Sequence, residues 1–139
     1  MPQRKRWVCG FLFRNNEEVA LVKKTHPSWQ AGKLNGVGGG IDGKESPLQA
    51  MQREFLEEAG VKVDDWKEFA LLKVQDGDVH FFVAHGDYPL KSVTDEKVEW
   101  YKISDLKNLP IIRNLKWLIV LAFDPDVKYA EIDYFQSRD

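Results

Sequence analysis

A single cysteine, Cys9, among 139 residues rules out an internal disulfide and any zinc site built from several thiolates. Its expected role is that of a small buried apolar residue. No apolar run approaches the roughly 20 residues that a membrane-spanning helix needs, so no part of the chain calls for lipid. Neither sign of charge dominates: 20 Lys and Arg stand against 22 Asp and Glu, giving a net charge of −2 and a pI near 5.9. Coating a nucleic acid depends on many cations neutralising phosphates, and this balance carries no such signal. The histidines, His26, His80 and His85, lack metal-ligand spacing and read as structural. Internal repeats, low-complexity tracts and linkers are absent too, and the length suits one domain over residues 1–139. The basic start MPQRKRW leads into a short apolar stretch that Cys9 and Gly10 interrupt and Arg14 ends. That is a poor signal peptide, and the expected compartment is the cytoplasm.

What the chain does have is alternating β-prone and turn-rich segments. Residues 7–13 and 19–22 flank RNNEE as a hairpin; residues 69–74 and 79–84 flank QDGD; residues 98–103 form a further strand. Between the first hairpin and the glycine run, residues 25–36 read as a surface loop carrying Pro27, Trp29 and Gly32. Ser46, Pro47 and Gln49 have the spacing of a capping box at a helix start, and Gly60 is the matching stop. After Pro110, IIRNLKWLIVLAF has the leucine content of a helix that Pro125 limits, and VKYAEIDYFQ reads as an ambiguous edge strand.

The chemistry concentrates in GGGIDGKESPLQAMQREFLEEAG, residues 38–60. Its glycines suggest a phosphate cradle, yet two nucleotide-binding patterns fail. Gly38, Gly40 and Gly43 satisfy a dinucleotide glycine pattern, and Gly38 to Lys44 all but the last position of a P-loop, but Glu45 stands where a P-loop needs a hydroxyl. Both patterns also present a helix N-terminus to phosphate, whereas this helix carries carboxylates. At about 100° per residue, Leu48, Met51, Phe55 and Ala59 form the core-facing stripe, with Glu54, Glu57 and Glu58 opposite. Like charges at these spacings repel by a few tenths of a kcal/mol per pair, with only Arg53 to compensate. Three hard oxygen donors on one face suit Mg²⁺ or Mn²⁺, which can bridge to substrate phosphates.

The same segment resembles the Nudix box, G-x5-E-x7-R-E-U-x-E-E-x-G-U with U a bulky apolar residue, over residues 39–61. Gly39, Glu45, Arg53, Glu54, Phe55, Glu57, Glu58, Gly60 and Val61 fill its specified positions. The resemblance implies an α/β fold, an α/β/α sandwich with a mixed sheet, in which the box forms loop, helix and loop. It further implies a Mg²⁺-dependent (or Mn²⁺-dependent) pyrophosphohydrolase acting on a small nucleotide. Glu57, Glu58 and the Gly38 carbonyl are then metal ligands, Glu54 a ligand or the base, and Glu45 and Arg53 the braces of the loop. A later acid can join such sites, and Asp95, Glu96 and Glu99 lie in the corresponding region. GKLNGVGG and LPIIRNLKWLI resemble segments of purine-triphosphate-hydrolysing members, which makes Asn35 and Asn114 the expected base contacts and nucleoside triphosphates the expected substrates. The Pro or Tyr common in ADP-ribose and dinucleotide branches is missing from residues 75–78. Lys23 or Lys24 is a candidate phosphate contact, and Trp29 and Phe82 are candidate stacking residues. Many such domains dimerise, and by the same resemblance residues 124–139 offer a homodimer contact.

Overall fold

The computed structural model describes residues 4–135, and its centre is strand β1 (Lys5–Arg14). Side chains alternate across a strand, so Val8 and Leu12 enter one hydrophobic core while Cys9, Phe11 and Phe13 enter the other. The chain then reverses through Asn15 and Asn16, both at φ 54°, into β2 (Glu18–Lys23). Two consecutive positive φ values match the twist of a tight hairpin, and asparagine tolerates them better than most residues. Strands β3 (Leu34–Asn35) and β4 (Val37–Gly40) follow, β4 pairing antiparallel to the first half of β1.

Helix α1 (Pro47–Ala59) starts as the sequence indicates. The Ser46 hydroxyl accepts from Gln49 N at 3.1 Å, and Gln49 Oε1 accepts from Ser46 N at 2.9 Å. Gly60 ends the helix at φ 68° and donates to Leu56 O at 3.0 Å. Strands β5 (Lys67–Val74) and β6 (Gly77–His85) form the second hairpin, and β6 runs parallel to β1. Strand β7 (Val98–Lys102) pairs with β2. It stops one residue short of the expected end because Ile103 opens a 3-10 turn, Ile103–Asn108. Helix α2 (Leu115–Phe123) begins four residues later than its composition suggests. The preceding segment is extended instead: Leu34 N donates to Pro110 O and Ile112 N to Leu34 O, so β3 takes these backbone groups before a helix can. The expected edge strand forms as β8 (Ala130–Asp133), parallel to β5, while residues 136–139 of the expected homodimer segment 124–139 lie outside the described ones.

The sheet is mixed, in the order β3-β2-β1-β6-β5-β8. α1 packs on one face through Met51, Phe55 and Ala59, and α2 on the other through Leu115, Leu118 and Ile119, giving the α/β/α sandwich. Among the described residues no helix is long and apolar enough to cross a membrane. Leu48 corrects the expected stripe, being exposed in the first turn while Ala50 is buried in its place.

Candidate active site

The loop between β4 and α1 is tied to the helix by one guanidinium. Arg53 Nε and Nη2 donate to the two oxygens of Glu45 at 2.7 and 2.9 Å, and Nη2 also reaches Gly40 O at 2.9 Å. Nη1 donates to Glu54 Oε1 at 2.9 Å and Glu57 Oε2 at 3.3 Å. A planar fork can serve so many acceptors at once where an ammonium cannot. The hydrogen bonds from Arg53 hold the Glu45 carboxyl below its ordinary range, helped by the Asp42 amide.

The helix carboxylates differ sharply from one another. Glu57 is half exposed, Glu54 is largely covered, and Glu58 is buried at 9% exposure, on the shoulder of the core rather than opposite it. A position at 280° from Leu48 falls between Met51 and Glu54 on the wheel, so the acidic arc and the apolar stripe overlap. Glu58 Oε2 is buried without a hydrogen-bond partner among the described residues. Burial, reinforced by the charge on Glu54, pushes the Glu58 carboxyl up to about 7, against the pull of Lys24. Burial likewise raises Glu54, with Arg53 opposing. Gly39 makes this crowding feasible: a Cβ there would stand 2.5 Å from the Glu54 carboxylate. Gly38 sits beside it in β4, paired with Cys9, and its amide lies next to Glu58. As the side chains stand, no three Asp, Glu, His or Cys groups among the described residues converge on one ion position. Arg53 holds one oxygen each of Glu54 and Glu57, and Glu58 Oε2 is the carboxylate oxygen buried without a partner among the described residues.

Beside the carboxylates runs a cleft of about 590 Å³, with Gly38–Gly40 on its rim and Cys9 and Phe81 on its floor. Asn35 and Asn114 both line it, as do Lys24 and the 59%-exposed Trp29. Lys23 does not line it; its side chain is exposed at the end of β2. Phe82 is buried against α1, away from the cleft.

Of the three later acids, Asp95 and Glu99 are exposed, and Glu99 lines a separate open groove with Arg14 and Trp100. Glu96 is 4% exposed and serves the loop after β2. It accepts from Thr25 N at 2.6 Å, Thr25 Oγ1 at 3.1 Å, Lys24 Nζ at 3.0 Å and His26 N at 3.3 Å. Burial alone would raise this carboxyl, but these donors bring it down to about 2. Glu96 is thus a latch on the loop that carries Trp29, a role invisible in a sequence where it is one acid among several. A depressed carboxylate stabilises the fold above its unfolded value of 4.5 and loses that contribution as pH falls toward about 2. Glu96→Gln is therefore expected to lower the urea midpoint at pH 7, with the deficit shrinking in acid below about pH 4.5. A deficit that is constant down to the lowest pH at which both proteins fold would remove the ionised latch.

Residues 3–120 match the NUDIX domain family model. The chain belongs to the Nudix family. Among curated Nudix relatives, it is similar to the RNA pyrophosphohydrolase of Psychrobacter sp. (strain PRwf-1), 31% identical over 103 residues, 66% of this chain and 51% of that protein. It is similar as well to the 8-oxo-dGTP diphosphatase of Escherichia coli (strain K12), 31% identical over 71 residues, 51% of this chain and 55% of that one. The chain thus spans about half the length of the curated relatives it matches. The Nudix hydrolase structure from Nitrosomonas europaea superposes with a TM-score of 0.80 at 20% identity, covering 98% of this chain and 81% of that one. At that identity the likeness speaks for the fold.

Proposed function

We propose that this Nudix domain hydrolyses a pyrophosphate linkage in a nucleotide, with nucleoside triphosphates as substrates and nucleoside monophosphate and pyrophosphate as products. The observation that carries this reading is the buried Glu58 oxygen, without a partner among the described residues, packed with Glu54 against Gly38 and Gly39, which line a cleft sized for a nucleoside. A carboxylate left so costly to ionise fits a site completed by a cation. Glu54, Glu57, Glu58 and the Gly38 carbonyl are the oxygen donors that would hold Mg²⁺ or Mn²⁺. When bound, such an ion neutralises phosphate charge and acidifies water.

The chain's own residues do the rest. To free the acidic face Arg53 would give up Glu57, its longest contact among the box carboxylates and the most exposed of the three, and keep Glu45, so that the loop stays braced. Glu54, raised by burial, would serve either as an ion ligand or as the base that takes a proton from attacking water. Lys24, which lines the cleft while holding Glu96, would be the phosphate contact. Trp29 and the paired amides of Gln30 and Asn35 receive the base.

A second reading, hydrolysis at the 5′-triphosphate end of RNA, is favoured by the similarity to the Psychrobacter RNA pyrophosphohydrolase. One experiment separates them. Purified protein is incubated with nucleoside triphosphates, ADP-ribose and 5′-triphosphorylated RNA in ¹⁸O-water, with Mg²⁺ and with chelator, and products are weighed by mass spectrometry. The expected result is Mg²⁺-dependent turnover of a triphosphate with label in pyrophosphate and none in the monophosphate. Label in the monophosphate rules out attack at the β-phosphorus, and exclusive turnover of the RNA end selects the second reading. No product from any substrate defeats the hydrolase assignment.

A further inference from the structure

Two amides in the cleft are connected in a way that fixes their polarity. Asn35 Oδ1 accepts from Gly36 N at 2.8 Å, and the Cys9 thiol lies 3.8 Å from the same oxygen. A backbone N–H can only donate, so this end of the Asn35 amide must be its oxygen. The other end is then NH₂, and it donates to Gln30 Oε1 at 3.1 Å. By the same logic the Gln30 oxygen is committed to Asn35. Gln30 Nε2 makes no hydrogen bond among the described residues, and Gln30 lines the cleft beside Trp29. The backbone of Gln30 is also pinned, its N donating to Pro27 O and its carbonyl accepting from Lys33 N, both at 2.9 Å.

We infer that Gln30 is the specificity-determining residue of the base subsite: its NH₂ donates to a carbonyl oxygen on the base edge, and Asn35 is a positioning residue that sets this polarity. This rests on the nucleotide reading above. The Asn35 oxygen already serves Gly36 and Cys9, so it is not the group that reads the base. A donor-only edge favours a base with an oxo group and disfavours one that presents an amino group in the same place, where two donors would meet. Asn114 also lines the cleft, makes no side-chain cap on α2, and among the described residues its amide retains both donor and acceptor. It therefore imposes no polarity of its own.

Inosine and adenosine nucleotides differ mainly in an oxo or an amino group at one ring position, which makes them the natural probes. The kcat/KM ratio of ITP to ATP is expected to exceed about tenfold, as for a site that loses one buried hydrogen bond with the wrong partner. Asn35→Asp is the decisive variant. Its carboxylate still accepts from Gly36 N but now also accepts from Gln30, so Gln30 must turn its oxygen to the cleft and the preference should invert toward ATP. Gln30→Glu, on the surface loop, removes the donor directly and should likewise abolish the inosine preference. Metal-free calorimetry with IMP and AMP gives a readout that needs no turnover. Equal wild-type values for the two purines, an ATP preference in wild type, or an unchanged ratio in folded Asn35→Asp overturns the inference. Hydrolysis of both triphosphates at equal kcat/KM leaves the pyrophosphohydrolase reading standing and this one refuted. Selective IMP binding without turnover does the reverse.

Discussion

Glu58→Gln is expected to lower turnover by at least about 10²-fold, the scale of removing one electrostatic group from a catalytic site, while raising metal-free stability at pH 8. The two effects share a cause. The Glu58 carboxyl has an unpaired buried oxygen, and its ionisation is held back from 4.5 to about 7 by burial and by Glu54. Between those two values the folded state binds more protons than the unfolded state, so stability falls as pH rises and levels off above about 7. Gln removes the charge, and its advantage over wild type should appear at pH 8 and vanish below about pH 4.5. The ceiling on that gain is about 3 kcal/mol, reduced because the amide is still a polar group in the same tight place. Adding Mg²⁺ should reverse the order, stabilising wild type by binding the folded state and leaving the variant nearly unmoved. A variant that turns over normally at limiting Mg²⁺, or that is less stable than wild type at pH 8 in chelator, would remove Glu58 from the metal set.

How much of this was legible in the sequence depends on whether the relevant interaction is local. The start and end of α1 are local: Ser46, Gln49 and Gly60 act on backbone within one turn, and the structure reproduces them. The hairpins are nearly as local, set by Asn15 and Asn16 and by the turn before β6. The box itself was legible as spacing. Its energetics were not, because a helical wheel separates Glu58 from the core only if the buried arc is narrow. Here Ala50 widens that arc and draws the carboxylate inside. The late start of α2 has the opposite origin, a non-local partner. Pro110 and Ile112 give backbone groups to Leu34, some 78 residues away for the latter, and no propensity argument reaches that far. Glu96 and Gln30 belong to the same class. Each acquires a role only when the loop after β2 folds back, Glu96 onto its start and Gln30 against Asn35.

Arg53→Ala is the other change expected to cost turnover heavily, by about 10²-fold, the scale of misplacing groups that must be held in register. It should do so without weakening metal binding. In the folded chain the guanidinium serves Glu45, Glu54, Glu57 and Gly40 O at once, so it both braces the loop and competes for the helix carboxylates. Removing it takes the net charge from −2 to −3 and leaves those acids facing one another. A divalent ion then relieves more repulsion than in wild type, and Mn²⁺ should raise the melting temperature of the variant by more than it raises that of wild type. Activity should stay low even at saturating Mn²⁺, since neutralisation by an ion does not restore the fork on Glu45 that fixes the loop. Arg53→Lys should fall between the two, because one ammonium matches the charge but cannot span the same acceptors. The pH dependence has a definite sign. Glu45 is held low chiefly by Arg53, so that pair stabilises the fold above 4.5 and the gap between wild type and Arg53→Ala should narrow as the carboxyl protonates in acid. Recovery of wild-type kcat by Mn²⁺ alone would show that Arg53 contributes charge and no placement, and turnover within threefold of wild type without added ion would show that the brace is dispensable.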